Sequence, residues 1–151
     1  MRYMITLSTL IVGMLAGCGA TMTAPEDFVE VPREQRGAYD FRAISADGAV
    51  VAVRRIDNAK KGTLDFWTQA VSNELKVGKG YKLTESKDVR SSSGAPGRLL
   101  TLTSRQGGVD YIYMLALYVR PDAVIVAEAA GTTDAIEPKR SAITEALLSA
   151  R

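Results

Sequence analysis

Histidine is absent from the 151 residues, and cysteine occurs once, as Cys18. The side chain that most often moves protons near neutral pH is therefore missing. A cysteine–histidine zinc site and an internal disulfide are both excluded. Charge of one sign is also scarce: 19 basic residues against 17 acidic ones leave a net charge of +2, without the concentrated basic face that nucleic acid requires. The whole chain is 46% hydrophobic and 24% charged, enough apolar material for one core in a chain too short for two substantial domains. Disordered, collagenous and polytopic membrane classes fit this composition poorly.

The amino terminus reads MRYMITLSTLIVGMLAGCGA, with Arg2 as the basic flank and Met4–Ala16 as a mostly apolar stretch. As a helix that stretch spans only about 20 Å, short of the ~30 Å hydrocarbon core, and matches a secretory h-region better than a membrane span. It ends in Leu15-Ala16-Gly17-Cys18, which resembles the lipobox of bacterial lipoproteins. The resemblance implies cleavage before Cys18 and diacylation of its sulfur, so that membrane lipid becomes the first partner. Two or three acyl chains make such attachment stable where one is reversible. Gly19 in place of an aspartate after Cys18 implies, by the same resemblance, an outer-membrane location facing the periplasm in a Gram-negative host. Residues 1–17 are thus the expected signal peptide, 18–27 the lipidated cysteine with a flexible tether, and 28–151 the globular domain. The small, polar run Gly19–Asp27 could reach up to ~30 Å from the anchor.

Phe28–Pro32 offers a short edge strand limited by Pro32. Tyr39–Ala43 and Ala49–Ile56 flank the turn Ala46-Asp47-Gly48 and predict a hairpin. Leu64, Trp67, Val71 and Leu75 recur at helical spacing, with Gly62 or Thr63 to cap the start and Gly78 to stop the helix. Tyr81–Val89 and Arg98–Arg105 predict two strands around the loop Ser91–Gly97. Val109–Val119 and Ala123–Ala130 are apolar on both alternations, the mark of strands covered on both faces. Pro138 opens a final helix to Ser149, with Ile143 and Leu147 as its buried stripe.

Short turns make neighbouring strands antiparallel. The predicted class is α+β: a three-layer α/β sandwich on a mostly antiparallel sheet of about six strands, with one helix between strands 2 and 3 and another at the C-terminus. This order, with the Phe66-Trp67 helix and the hairpin, looks like the Mog1/PsbP/DcrB-like fold. Together with the lipobox it resembles the DcrB-type bacterial lipoproteins, over roughly residues 39–151. That resemblance implies a binding or assembly role and carries no catalytic signature.

A Ser–Lys dyad drawn from Ser86-Lys87 fails because neighbours along a strand face opposite ways. The acids are scattered, and no calcium loop or phosphate-cradling glycine run is present. Gly78-Lys79-Gly80 follows a helix and precedes a strand, the reverse of a phosphate loop. No cofactor and no metal are expected. Glu128, alone in an apolar strand, calls for a partner such as Arg54 or Arg42, or for an exposed sheet end. Most of the tyrosines serve as packing. A groove formed by Tyr111, Tyr113, Trp67, Arg54 and Arg55 would make a ligand-binding surface. The leading reading is a lipid-anchored, non-catalytic envelope protein that binds a protein partner or aids envelope assembly. A small-solute-binding module with an aromatic pocket is the second reading, and a carboxylate- or lysine-based enzyme the third.

Overall fold

The computed structural model describes residues 19–151; the expected signal peptide, 1–17, and the expected lipidation site Cys18 lie outside the described residues. Seven strands pair antiparallel throughout, in the order β1-β2-β3-β7-β6-β5-β4. They are β1 (Phe28–Glu30), β2 (Phe41–Ser45), β3 (Val50–Asp57), β4 (Lys82–Arg90), β5 (Pro96–Gln106), β6 (Val109–Val119) and β7 (Ala123–Thr132). Helix α1 (Leu64–Asn73), widened into a π-turn over Glu74–Gly78, joins β3 to β4. Helices α2 (Thr133–Ile136) and α3 (Arg140–Leu148), joined by a 3-10 turn, close the chain.

The double apolar alternation of β6 and β7 places both strands at the centre, with a core on each side. On one face Ile112, Met114, Ala116 and Tyr118 of β6 pack with Ile143, Ala146 and Leu147 of α3. The Tyr118 hydroxyl donates to the Leu147 carbonyl at 3.1 Å, tying the helix to the sheet. On the other face Leu115, Leu117, Val124 and Val126 pack with Leu75 and with the stripe Leu64, Trp67 and Val71. Thr63 starts that helix by accepting the Phe66 N–H on its side chain, which satisfies one of the free donors of the first turn. Gly97 lies opposite Tyr118, where a Cβ would stand 2.5 Å from the tyrosine ring and 2.6 Å from the Leu117 carbonyl oxygen. Only glycine fits that approach.

The sheet differs from the sequence expectation in having seven strands rather than about six. The seventh is β1, which falls within the edge strand expected at Phe28–Pro32 but left out of that total; it is three residues long and held by the pairs Phe28–Ser45, Val29–Ile44 and Glu30–Ala43. Its signal is faint because only Phe28 turns inward. The C-terminal helical region also begins earlier than Pro138, at Thr133, with Thr132 as its cap.

The expected tether does not extend from the body. Ala20 and Met22 are buried in the core beside α3, and Thr21 exchanges two backbone hydrogen bonds of 3.0 Å with Arg151. Ala20 donates its N–H to Asp40 at 3.1 Å. Burial of a methionine side chain stabilises by about 1.5–3 kcal/mol, which a composition-based reading of a small, polar segment does not register.

Candidate functional site

Helix α1 lies over β5 and β6 and reaches β3 at Ile56; among the described residues no helix lies over the same face of β1, β2 and the rest of β3. Register fixes what stands there. Arg42 of β2 opposes Ala52 of β3, Ala52 opposes Glu128 of β7, and Glu128 opposes Leu115 of β6. Residues that pair across strands share a face, so Arg42, Ala52 and Glu128 form a row on the open side, with Arg54 two residues along β3. Val29 and Ile44 sit further out on that face, 72% and 41% exposed.

Among the described residues Glu128 is the only charged side chain that is buried, at 6% exposure. Its two carboxylate oxygens are both engaged. Tyr39 donates its hydroxyl to Oε1, and Tyr113 donates to Oε2 at 2.7 Å. Hydrogen bonds to a charged acceptor are short and strong, and this pair offsets the cost of desolvating the carboxylate. Burial, then the bond to Glu128 and its negative charge, pushes the Tyr39 hydroxyl up to about 12, while Arg54 and Arg42 pull the other way. Tyr113 is raised as well, by burial first and Glu128 second. Both phenols therefore keep their protons as donors through the neutral range.

The expectation that Glu128 pairs with Arg54 or Arg42 is corrected here: its partners are the two tyrosines. Arg54 instead stacks its guanidinium on the Tyr39 ring, 5.7 Å from the centroid. Its Nε is buried without a hydrogen-bond partner, and among the described residues neither Arg54 nor Arg42 makes an ion pair. Tyr39 sits just ahead of β2 rather than inside a strand, which frees its ring to cross the sheet toward β7.

The five residues proposed from sequence as a ligand surface do not converge. Tyr113 and Arg54 join the Glu128 cluster. Tyr113 also leans on Tyr81, with ring centroids 5.5 Å apart. Trp67 belongs to a different hub: its Nε1–H donates to Asn58 Oδ1 at 3.0 Å. Buried Asn58 also accepts the Gly62 N–H and donates to the carbonyls of Gly62 and Arg120. Arg55 points to the opposite face from Arg54 and pairs with Asp122 at 2.6 Å. Tyr111 lines an open depression of about 480 Å³ with Gly80, Lys82 and Arg105, at the far end of the sheet. A second open depression, about 460 Å³, is lined by Gly19, Arg33, Gly37, Tyr39 and Asp40. Among the described residues no group of three acids or cysteines is placed to hold a metal ion.

Sequence reasoning left Tyr39 and Arg42 out of the ligand surface and missed Asn58. The register of the hairpin would have placed Arg42 beside Glu128. Asn58 reads as loop polarity, and nothing local in the sequence marks it as a buried hub.

No family model and no curated protein sequence matches the chain. Solved structures do. LpqN of Mycobacterium tuberculosis, described as involved in cell envelope biogenesis, is similar at a TM-score of 0.66 and 16% identity, covering 87% of this chain and 81% of that one. Cyanobacterial PsbP (CyanoP) of Synechocystis sp. PCC 6803 is similar at 0.62 and 12% identity, covering 92% and 95%. A Pseudomonas aeruginosa protein of unknown function is similar at 0.51 and 18% identity, covering 81% and 78%. At these identities the likeness is one of fold, and the fold is PsbP-like.

Proposed function

We propose that the chain is a lipid-anchored, non-catalytic protein of the bacterial cell envelope whose open half-sheet binds an acidic group of an envelope protein partner. The observation that carries the reading is the pair of guanidiniums, Arg42 and Arg54, which among the described residues have no ion pair and stand on a part of the sheet that no described helix covers. A buried Arg54 Nε without a partner is costly unless something completes its surroundings. A carboxylate docked across both arginines would gain charge-assisted bonds. Nearby Val29 and Ile44 would supply apolar contact, in the usual pattern of an anchored interface.

Three further points support the reading. The buried carboxylate has both oxygens occupied, so it acts as a fixed structural acceptor. The two depressions described are open rather than enclosed, which favours a protein partner over an enclosed small solute. The lipobox Leu15–Cys18 supplies the anchor, and the fold is shared with a mycobacterial protein of envelope biogenesis. An outer-membrane address facing the periplasm follows from Gly19 if the host is Gram-negative.

Copurification from gently solubilised membranes tests the proposal. Wild type and Val77→Glu should recover the same stoichiometric partner, and the double variant Arg42→Glu/Arg54→Glu should lose it while keeping its circular dichroism. Equal recovery by all three, or by none, contradicts the reading.

A further inference from the structure

The strand ends that hold residue 19 also carry an exposed aromatic and a basic loop, all along one rim. Asp40 Oδ2 accepts the N–H groups of Ala20 and Arg55, at 3.1 and 2.8 Å. Arg55 then pairs with Asp122, and the Asp122 carbonyl accepts the Asn58 N–H at 3.1 Å. Asn58 in turn holds Gly62 and the Arg120 carbonyl. A Cβ at Gly62 would lie 2.8 Å from the Phe66 ring, so that ring sits over the loop Asn58–Gly62. Phe66 is nevertheless 58% exposed, and Lys60, Lys61 and Arg120 around it are exposed too.

The acids of this rim are mostly spent. Asp122 is paired with Arg55, while Asp65 and Asp88 are both paired with Arg98, and Asp40 is held by two backbone amides. On the loops beside Phe66, Asp57 stands against Lys60, Lys61 and Arg120, and among the described residues none of these four makes an ion pair. The rim thus presents a bare aromatic ring among unmatched cations.

We infer that this rim is a second membrane contact: it rests on an anionic phospholipid surface and stands the domain end-on, with the open half-sheet facing sideways. The inference rests on the proposed acylation of Cys18. Consecutive Cα atoms are ~3.8 Å apart, and Gly19 adjoins a segment hydrogen-bonded and buried in the body. The acyl chains therefore begin at the rim itself, with no slack to lift the domain away. Aromatic rings and lysine stems are the side chains that settle at the headgroup level, and basic residues there are drawn to anionic lipid.

The test uses the full acylated chain, purified from membranes and reconstituted into phosphatidylethanolamine vesicles with or without phosphatidylglycerol. With Cys18 acylated, a cysteine introduced by Phe66→Cys or Val77→Cys is the only free thiol and takes an environment-sensitive fluorophore. In anionic vesicles the probe at position 66 should shift to the blue, be quenched by brominated lipid and escape aqueous iodide. The probe at 77, beyond the opposite end of α1, should remain fully open to iodide. Lys60→Glu/Lys61→Glu should abolish the blue shift at 66. A probe at 66 as open to iodide as the one at 77, on a sample whose mass shows intact acyl chains, overturns the inference alone. An unacylated sample overturns the anchoring reading and this inference together.

Discussion

Replacing Glu128 with leucine tests the cluster at the centre of the open face. The carboxylate receives two hydroxyl bonds, from Tyr39 and Tyr113, and bonds to a charged group contribute about 1.5–3 kcal/mol each. Gross loss is therefore ~3–6 kcal/mol, reduced because leucine no longer carries a charge that must be kept from water. A net destabilisation of about 2–4 kcal/mol follows, a large share of the ~5–15 kcal/mol typical of a domain. Tyr113→Phe in the wild-type background should cost about 1.5–3 kcal/mol, because it strips one donor from a buried carboxylate. In the Glu128→Leu background the same change should cost little, since the hydroxyl no longer has a charged acceptor. Urea unfolding followed by the fluorescence of Trp67, the only tryptophan, measures all four corners of the cycle. A coupling energy of ~1.5–3 kcal/mol is expected. Additivity within about 0.5 kcal/mol would refute the reasoning, because it would mean that the bond contributes nothing specific.

Other consequences are equally direct. The Tyr39 hydroxyl, raised from 10.0 to about 12 in the folded chain, contributes stability that is complete below pH 10 and lost as pH rises through 12. Alkaline unfolding of Tyr39→Phe should lack that component, and an unchanged alkaline profile would contradict it. Gly97→Ala forces a methyl against the Tyr118 ring and the Leu117 carbonyl, and should lower stability by about 1–3 kcal/mol; a neutral result would refute the close approach. Asn58→Ala leaves the Trp67 indole and two carbonyls without their partner. It should cost about 1–3 kcal/mol and shift tryptophan emission, whereas unaltered emission would place the indole elsewhere. Asp40→Ala removes the acceptor shared by Ala20 and Arg55, so amide exchange should accelerate at residues 20–22; unchanged protection would show that Met22 packing holds the segment alone.

Where a signal was periodic, the sequence carried it into the structure. The two-faced apolar alternation of Val109–Val119 and Ala123–Ala130 announced the central strands, and Leu64, Trp67, Val71 and Leu75 announced the helix that covers one of their faces. Signals that depend on pairing across the chain were harder to read. Edge strand β1 was legible at Phe28–Pro32, but it turns only one apolar side chain inward, so counting it into the sheet depends on register with β2. Met22 and Ala20 occupy a run whose composition suggests a tether, and only the arrival of α3 gives them something to bury against. Glu128 stood out in sequence as a charge requiring compensation. That tyrosines rather than arginines supply it follows from Tyr39 lying just outside β2, free to reach over β3. The candidate binding set dispersed for a related reason: Arg54 and Arg55 are neighbours, and neighbours in a strand face apart.

The account turns on attachment at Cys18, and one measurement reaches it. If the chain is cleaved before Cys18 as proposed, trypsin cuts first after Arg33, and the amino-terminal peptide of native protein from the membrane fraction runs from Cys18 to Arg33. Its mass should equal the sequence plus a diacylglyceryl thioether, with or without a third acyl chain on the amino group, and no residue should precede the cysteine. An unmodified Cys18, or a peptide that still carries Gly17, contradicts the envelope anchoring and the end-on stance built on it.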